Sequence, residues 1–196
     1  MPKTTIHALK EWAVAVKALE QGETIMLLRK GGIHEQGGRF RVAHEEILLY
    51  PTYEHQQSFL LKADYASYVQ PVTSGWHPET VPIGSWAEIT DILPVSDESI
   101  VKALLPFYIW NEYFISDRLI WKARQPLYIL LLRTYKLAKV QEIPYCQEYK
   151  GCKSWIDLAQ TINLQPAEPA LSDFAYKQLV AEIRGIVGDK LYAPSF

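Results

Sequence analysis

The chain is poor in cysteine and in net charge. Its 196 residues include two cysteines, Cys146 and Cys152, whose spacing forms neither a CxxC pair nor a zinc framework. We therefore expect two reduced, semi-buried thiols, and the pattern indicates no cofactor. The formal net charge is −2, so no global basic field favours nucleic acid, and any nucleic-acid site has to be a local patch.

Long apolar runs are also missing. The longest clean run is Ile129 to Leu132 with its neighbours, far short of the ~20 residues that a membrane span needs. The opening MPKTTIHALKEW lacks the apolar core of a signal peptide and carries charges at Lys10 and Glu11. We predict a cytoplasmic protein that makes no contact with membranes, and the sequence identifies no protein partner.

The composition is that of a globular domain. A hydrophobic fraction of 48% and a charged fraction of 21% are both ordinary for such proteins. A chain of this length buries roughly 70% of its unfolded surface, which provides an ample core. We predict one domain over residues 1–196, with a long connection at 62–85 and a connector at 160–171 that leads to a C-terminal helix.

Helical periodicity marks both ends of the chain. Apolar residues at helical spacing predict a helix over 5–21, and Gly22 stands where a left-handed glycine ends a helix. Near the C-terminus, Ser172 is a predicted cap, the apolar residues after it keep helical spacing, and Gly188 closes the helix.

Between these helices the pattern predicts mainly strands. Short apolar or alternating runs indicate strands at 24–29, 39–42, 46–50, 86–95, 118–122 and 126–136, with helices at 52–61 and 97–105. Strands and helices do not alternate regularly, which argues against a doubly wound parallel sheet. We predict an α+β fold with a mixed, mostly antiparallel sheet between the N- and C-terminal helices. That sheet is either open or curled into a partial barrel.

The stretch from Arg29 to Gln56 is the most unusual in the chain. It holds four of the ten glycines and three of the five histidines. Paired glycines let the backbone approach a ligand and can turn consecutive amides into an anion nest, to which Arg29 and Lys30 add charge. The GxxxxGK[ST] spacing of a phosphate-binding P-loop is absent. A plain hairpin, with glycines for turn geometry and charges for solubility, explains the same pattern.

Further polar groups follow along this stretch. Arg39 and Arg41 alternate with apolar residues and point to one face of a predicted strand, about 7 Å apart. A helix that starts after Thr52 presents outward N–H groups that favour anions. We predict that these features converge on one ligand site. Its candidate residues are Arg29, Lys30, Gly31, Gly32, His34, Glu35, Arg39, Arg41, His44, Tyr53, Glu54, His55 and Gln56.

Several segments carry a family resemblance. LKEWAVAVKAL, LLRKGGI, LLYPTYEHQ, LLLRTYKL and GCKSW span the chain from about Leu9 to Leu158. Together they resemble the domain of unknown function 1802 (DUF1802), with RKGGI and PTYEHQ as the most specific parts. The resemblance implies a self-standing domain of prokaryotic, largely cyanobacterial origin, and it implies no activity, ligand or catalytic residue. The predicted layout is also similar to RNA-binding barrels of the PUA and ASCH type.

Three functions remain compatible with the sequence. The first is binding of a phosphate-bearing ligand, a nucleotide or RNA or DNA, through the Arg29–Gln56 stretch, which supplies arginine forks and backbone N–H groups. The second is a metal-assisted hydrolase or nuclease, although no HExxH spacing supports it. Its candidate residues are His34, Glu35, His44 and His55. The third is a non-catalytic protein-interaction or structural domain with exposed aromatic residues.

Overall fold

The fold is organised by one mixed β-sheet. The computed structural model describes residues 3–30, 35–36, 39–40, 44–120, 126–151 and 153–188, with the backbone alone for 35–36 and 39–40. Within these residues the strands, in chain order, are β1 Thr4–Trp12, β2 Met26–Arg29, β3 Glu35–Gln36, β4 Arg39–Phe40, β5 Glu46–Thr52, β6 Thr80–Val95, β7 Leu127–Pro144, β8 Trp155–Asn163 and β9 Ala167–Pro169.

Seven of these strands form the sheet, in the order β2-β7-β6-β5-β1-β8, with β9 paired to β7. Neighbouring strands run antiparallel except β1 and β5, which are parallel. Strands β3 and β4 form a separate antiparallel pair. The predicted α+β fold with a mixed, mostly antiparallel sheet is therefore confirmed. The hydrogen bonding of the described strands does not close the sheet into a barrel.

Helices cover the sheet and connect its strands. In the described part of the chain they are α1 Ala13–Gln21, α2 Ala63–Ala66, α3 Glu98–Ala103, α4 Glu112–Ile120 and α5 Asp173–Val187. Helix α5 begins and ends as predicted. The hydroxyl of Ser172 accepts the N–H of Ala175 at 3.2 Å, and Gly188 follows the last turn.

Helix α5 packs across β6 and β7. Its buried face is formed by Tyr176, Val180, Ile183 and Val187. Near the start of the helix, Asp173 pairs with the buried Arg133 of β7 at 2.7 Å, and near its end Arg184 pairs with Asp91 of β6. Apolar burial and two ion pairs therefore set the position of α5 on the sheet.

Both faces of the sheet bury apolar side chains. In β5, Ile47 and Leu49 face the larger apolar cluster, which the helices cover, whereas Leu48 and Tyr50 face a smaller cluster on the other side. Successive side chains of a strand point to opposite faces. This double burial explains why β5 is a continuous apolar run rather than an alternating one.

The predicted helix over 5–21 is wrong in its first half. Residues Thr4–Trp12 form β1, and the helix begins only at Ala13. The strand opens with three β-branched residues, Thr4, Thr5 and Ile6, which favour extended backbone. It also gains hydrogen-bonded neighbours on both sides, β5 and β8, which helix formation would forgo. The predicted end is confirmed, because Gly22 takes a left-handed φ of 70°.

The predicted helix after Thr52 is also wrong. Strand β5 continues through Pro51 and Thr52. Because β6 pairs only with Glu46–Leu48, Pro51 lies where β5 has a single neighbour, and a sheet tolerates proline there. His55 then takes a positive φ of 65°, which is incompatible with a helix. A short 3-10 turn follows only at Ser58–Leu60.

Several other boundaries differ from the prediction. Strand β6 begins at Thr80, inside the predicted connection 62–85, and β8 extends to Asn163, inside the predicted connector 160–171. Residues 118–120 of the strand predicted at 118–122 belong to helix α4, and the other two lie outside the described residues. The strands are longer because β6 and β7 pair with each other from one end to the other. This long-range pairing overrides the local signals of the two prolines and the glycine inside β6.

We expect Gly22→Ala to lower the free energy of unfolding by about 2 kcal/mol, because left-handed backbone disfavours a side chain and the added Cβ meets Leu171. That Cβ would lie 2.7 Å from Leu171 Cδ2. Gly185→Ala is the matched control, since its Cβ meets no atom within 4 Å. Alanine there should raise stability by roughly 0.5–1 kcal/mol. Urea unfolding followed by circular dichroism measures both, and equal midpoints would contradict the expectation.

Candidate functional site

A cleft of about 510 Å³ opens where three strands end. It lies at the carboxyl ends of β1, β5 and β2, which contribute Lys10–Trp12, Tyr50–Thr52 and Arg29. The remaining walls come mainly from the loops at 53–55 and 74–78 and from residues 145–154. This volume is within the range of small-molecule and cofactor pockets.

Arg29 joins two distant parts of the sheet. Four strand-to-strand steps separate β2 from β1, which amounts to about 19 Å in a flat sheet. Nevertheless Arg29 Nη2 lies 2.8 Å from Glu11 Oε2 and donates to the carbonyl oxygen of Lys10 at 2.9 Å. The sheet is therefore strongly curled, and β2 and β1 meet through side chains at the cleft.

The pair of Arg29 and Glu11 is largely buried. Their side chains are 14% and 10% exposed, respectively. Glu11 Oε1 also accepts the N–H of Trp12 at 2.8 Å, and Arg29 Nη1 donates to Ser154 Oγ at 3.3 Å. Buried charges are tolerated when they are paired and hydrogen-bonded in this way, although the Nε–H of Arg29 has no hydrogen-bond partner among the described residues. The guanidinium is thus held in one orientation in the wall of the cleft.

Further cations surround this pair. Lys10 Nζ donates to the carbonyl oxygens of Tyr149 and Gly151 at 2.6 and 2.9 Å, which ties the segment after β7 to β1. The same segment carries the exposed Lys150 and Lys153. In total, five Lys and Arg side chains and two Glu side chains line the cleft, an excess of three positive charges.

Arg118 of α4 is the fifth of these cations. Burial is the main cause that lowers the pKa of Arg118, the nearby Arg29 lowers it further, and Glu11 opposes both effects. Its guanidinium lies over the ring of Phe114, 4.9 Å from the centroid. The carboxylates of Glu11 and Asp117 both act on Arg118, and of these two only Glu11 lines the cleft beside the two guanidinium groups.

Aromatic rings line another part of the cleft. Tyr50 meets Tyr149 edge to face with centroids 5.7 Å apart, and Tyr149 meets Tyr145 in the same way at 6.2 Å. Tyr145 in turn stacks on His77 at 3.5 Å. The contacts form a continuous series from the segment that Lys10 holds to the loop at 74–78. Burial raises the pKa of Tyr50 and Tyr145, so both keep neutral hydroxyl groups.

The loop at 74–78 is fastened to the turn after β5 by one carboxylate. Glu54 Oε1 accepts the N–H of Gly75 at 2.6 Å and the hydroxyl of Ser74 at 3.3 Å. His55 Nε2 lies 3.3 Å from the same oxygen. Beside this contact, Tyr53 meets Trp76 edge to face at 5.9 Å. The two loops therefore form one wall.

Four of the residues predicted from sequence line the cleft. They are Arg29, Tyr53, Glu54 and His55. Three others lie elsewhere in the described structure. Lys30 is 4% exposed and donates to the carbonyl oxygen of Leu119 at 2.8 Å, so burial lowers the pKa of its ammonium group. Gln56 accepts the N–H of Val14 at the start of α1. The third residue, His44, stacks on His7.

The remaining predicted residues are not placed against the cleft. Gly31, Gly32, His34 and Arg41 lie outside the described residues. Glu35 and Arg39 are described by backbone alone, as members of β3 and β4. The predicted convergence is therefore visible for Arg29 and the turn at 53–55. A role in ligand binding stays a prediction for the whole set.

Most of the cleft was not predictable from the polar stretch alone. The helical periodicity of 5–21 predicts a helix at Lys10 and Glu11, whereas the structure places both at the end of strand β1. Trp76 and His77 lie in the connection that we predicted, where scattered aromatics and prolines were the available signal. Lys150 and Lys153 lie in the segment after β7, which contacts β1 through Lys10. That contact depends on the curl of the sheet, and no local sequence pattern encodes it.

His44 belongs to a separate histidine pair. Its ring stacks on that of His7 with centroids 3.2 Å apart, and His7 Nδ1 lies 2.7 Å from Asp157 Oδ1. Burial is the largest effect that lowers the pKa of His44, and charge repulsion from His7 adds to it. The carboxylate of Asp157 opposes both.

The described residues hold neither a metal-binding cluster nor a membrane-spanning helix. In the ranges that the structure describes, no group of three or more His, Cys, Asp and Glu side chains is arranged to hold a metal ion. Over the same ranges, none of the helices has the length and apolar character needed to cross a membrane.

Comparison with known proteins assigns the family. A model of the domain of unknown function DUF1802 matches residues 8–182. The chain belongs to the DUF1802 family. A solved structure with detectable likeness is a mutant of ZmASCH from Zymomonas mobilis, at 14% identity and a TM-score of 0.41, covering 93% of this chain and 99% of that one. No curated protein matches.

The family match confirms the resemblance seen in the sequence. It covers most of the chain and includes the second half of β1, the strands β2 to β9, the loops of the cleft and most of α5. The similarity of layout to ASCH barrels stays a prediction at this TM-score.

Glu11→Gln should lower the free energy of unfolding by about 3 kcal/mol, because it leaves the buried Arg29 without its charge partner. Glu98→Gln is the control, since Glu98 pairs with Lys102 on an exposed helix surface and its loss should leave the unfolding midpoint unchanged. Chemical denaturation measures both variants. Equal midpoints in the two variants would show that the ion pair does not stabilise the curled sheet.

The His44 ring should titrate below its usual pKa of 6.5, and Asp157→Asn should lower the value further by removing the carboxylate that raises it. Proton NMR of the histidine Hε1 signals measures both. As pH falls, the unfolded chain takes up this proton at a higher pH than the folded protein does. The neutral His44 ring therefore contributes stability that is present above pH 6.5 and is lost as the pH falls through the lower pKa of the folded protein. An unchanged or higher pKa in Asp157→Asn would contradict the assignment.

Proposed function

We propose that the cleft binds a phosphate-bearing ligand, a nucleotide or a segment of RNA or DNA. The observation that carries the proposal is the excess of Lys and Arg over Glu beside a series of aromatic rings in one concave site. The chain as a whole is slightly acidic. Its cations are therefore gathered locally, as a protein without a global basic field requires for binding a polyanion.

The cationic side suits phosphate oxygens. Arg29 is held by Glu11 and Ser154, so its side chain loses little conformational entropy when a ligand arrives. Lys150 and Lys153 are exposed at the rim, where long side chains can follow a phosphate. Charge-assisted hydrogen bonds to phosphate are the strong class of such contacts.

The aromatic side suits a base or another planar group. Bases stack on aromatic rings with a contribution of about 1–3 kcal/mol for each base. The rings of Tyr53 and Trp76 lie on the two loops that form one wall, and the ring of Tyr145 lies on the segment after β7. A ligand with a phosphate and a planar group would use both sides of the cleft, whereas inorganic phosphate would use one.

The metal-assisted alternative lacks a supporting observation. Of its four candidate residues, His55 lines the cleft and His44 stacks on His7. His34 lies outside the described residues, and the Glu35 side chain is not described.

The double change Lys150→Ala and Lys153→Ala should weaken binding at least about tenfold, because each lost charge-assisted hydrogen bond contributes roughly 1.5–3 kcal/mol. The control is Lys139→Ala with Lys177→Ala, two exposed lysines that do not line the cleft. Fluorescence anisotropy with a labelled single-stranded oligoribonucleotide, and calorimetry with mononucleotides, measure the affinities at several salt concentrations.

Binding that falls with rising salt, and falls further only in the cleft variant, is the expected result. Equal losses in the cleft and control variants would show non-specific attraction to surface lysines. Absence of binding to both kinds of ligand by the unmodified protein would overturn the proposed function.

A further inference from the structure

The carboxylate of Glu54 makes its contacts with the protein through one of its two oxygens. Its Oε1 receives the N–H of Gly75, the hydroxyl of Ser74 and the contact with His55. Within the described residues no hydrogen bond reaches Oε2. The side chain is 32% exposed and lines the cleft. A ligand in the cleft can therefore reach a carboxylate oxygen whose position is already set by the protein.

Glu54 is an acceptor at neutral pH. The N–H of Gly75 is the main cause that holds the pKa of Glu54 below its usual range, and the electrostatic contributions of His55 and Lys10 and the hydrogen bond from Ser74 act in the same direction. An ionised carboxylate accepts hydrogen bonds and donates none. It therefore favours ligand groups that carry N–H or O–H and disfavours groups that present only lone pairs.

Trp76 places an aromatic face beside this acceptor. Its side chain belongs to the loop that Glu54 fastens, and it remains 43% exposed although its ring meets Tyr53 edge to face. Tryptophan offers the largest ring on which a base can stack. Glu54 binds the N–H of Gly75, the residue before Trp76, so the carboxylate and the ring belong to the same wall of the cleft.

We propose that Trp76 and Glu54 form a base-recognition subsite that selects guanine, which deepens the proposed function and rests on it. Guanine presents two adjacent donors on its Watson–Crick edge, N1–H and the N2 amine. Adenine and cytosine present one amine next to a ring nitrogen whose lone pair would face the carboxylate. Uracil presents one N–H between two carbonyl oxygens. Of these bases, only guanine offers the Glu54 carboxylate two adjacent donors, and no lone pair lies between its N1–H and its N2 amine.

The same geometry requires an unpaired base. A base in a duplex has its Watson–Crick edge occupied and its faces covered by neighbours, so it can meet neither Glu54 nor Trp76. The ligand is then a free guanine nucleotide or an unpaired guanine in a single strand. In both cases the phosphate meets the lysines and arginines of the cleft.

The test compares bases in two settings. One set of ligands is 5′-GMP, 5′-IMP and 5′-AMP, measured by calorimetry. The other is a labelled oligouridine with one central G, I or A, measured by anisotropy. We expect guanine to bind roughly tenfold or more tighter than adenine, with hypoxanthine between them because it lacks the N2 amine. Preference in the first set alone indicates a nucleotide site, and preference in the second indicates a single-strand site.

Two variants separate recognition from folding. Glu54→Gln keeps an oxygen for the N–H of Gly75 and replaces the second oxygen by an amide N–H₂, so the preference for guanine should be lost or turned toward adenine. Trp76→Ala should weaken the binding of guanine and adenine ligands by the same factor. Tyr113→Ala, which removes an exposed ring outside the cleft, should change neither. Near-ultraviolet circular dichroism checks that the loop stays in place.

The outcomes distinguish this inference from the function on which it rests. Binding of the ligands with equal affinity for guanine and adenine, or a guanine preference that survives in Glu54→Gln with the loop intact, overturns the base-recognition subsite alone. Absence of binding to every ligand in both sets overturns the proposed function together with it.

Discussion

The curl of the sheet depends on a buried ion pair between strands that are not neighbours. Arg29 ends β2 and Glu11 lies near the end of β1, four strand steps away, and yet their side chains meet at 2.8 Å. Neither charge is stable in this place without the other, because both are removed from water. The pair therefore links the two arms of an open sheet across the concave space between them.

The cleft follows from that geometry together with the parallel pairing of β1 and β5. Parallel strands end on the same side of a sheet, so Lys10–Trp12 and Tyr50–Thr52 reach the cleft together. The long antiparallel pair of β6 and β7 then delivers the segment with Tyr145 and Lys150 to the same place. Charge that is diluted over the whole chain becomes concentrated at one site.

The sequence predicted the fold class, the helix α5 and the presence of strands β2, β5, β6 and β7, because their signals are local. Helix caps and apolar runs act over a few residues and do not need the rest of the chain. The first half of the N-terminal helix was wrong because the sheet provided Thr4–Trp12 with two neighbours, and hydrogen bonding to them outweighed helical periodicity. The predicted helix after Thr52 is wrong because β5 continues through Thr52 and His55 has left-handed backbone.

The resemblance to the DUF1802 family and the α+β fold class can be recognised from the amino-acid sequence, which also indicates the polar stretch Arg29–Gln56 that contains Tyr53, Glu54 and His55. Which cations share a site became visible only in the folded chain. Lys30, next to Arg29 in the chain, is buried against Leu119, whereas Lys10, Arg118 and Lys153 arrive from separate elements. The physical reason is that local patterns specify backbone conformation, while the curl of a sheet and the burial of an ion pair depend on contacts between residues far apart in the chain.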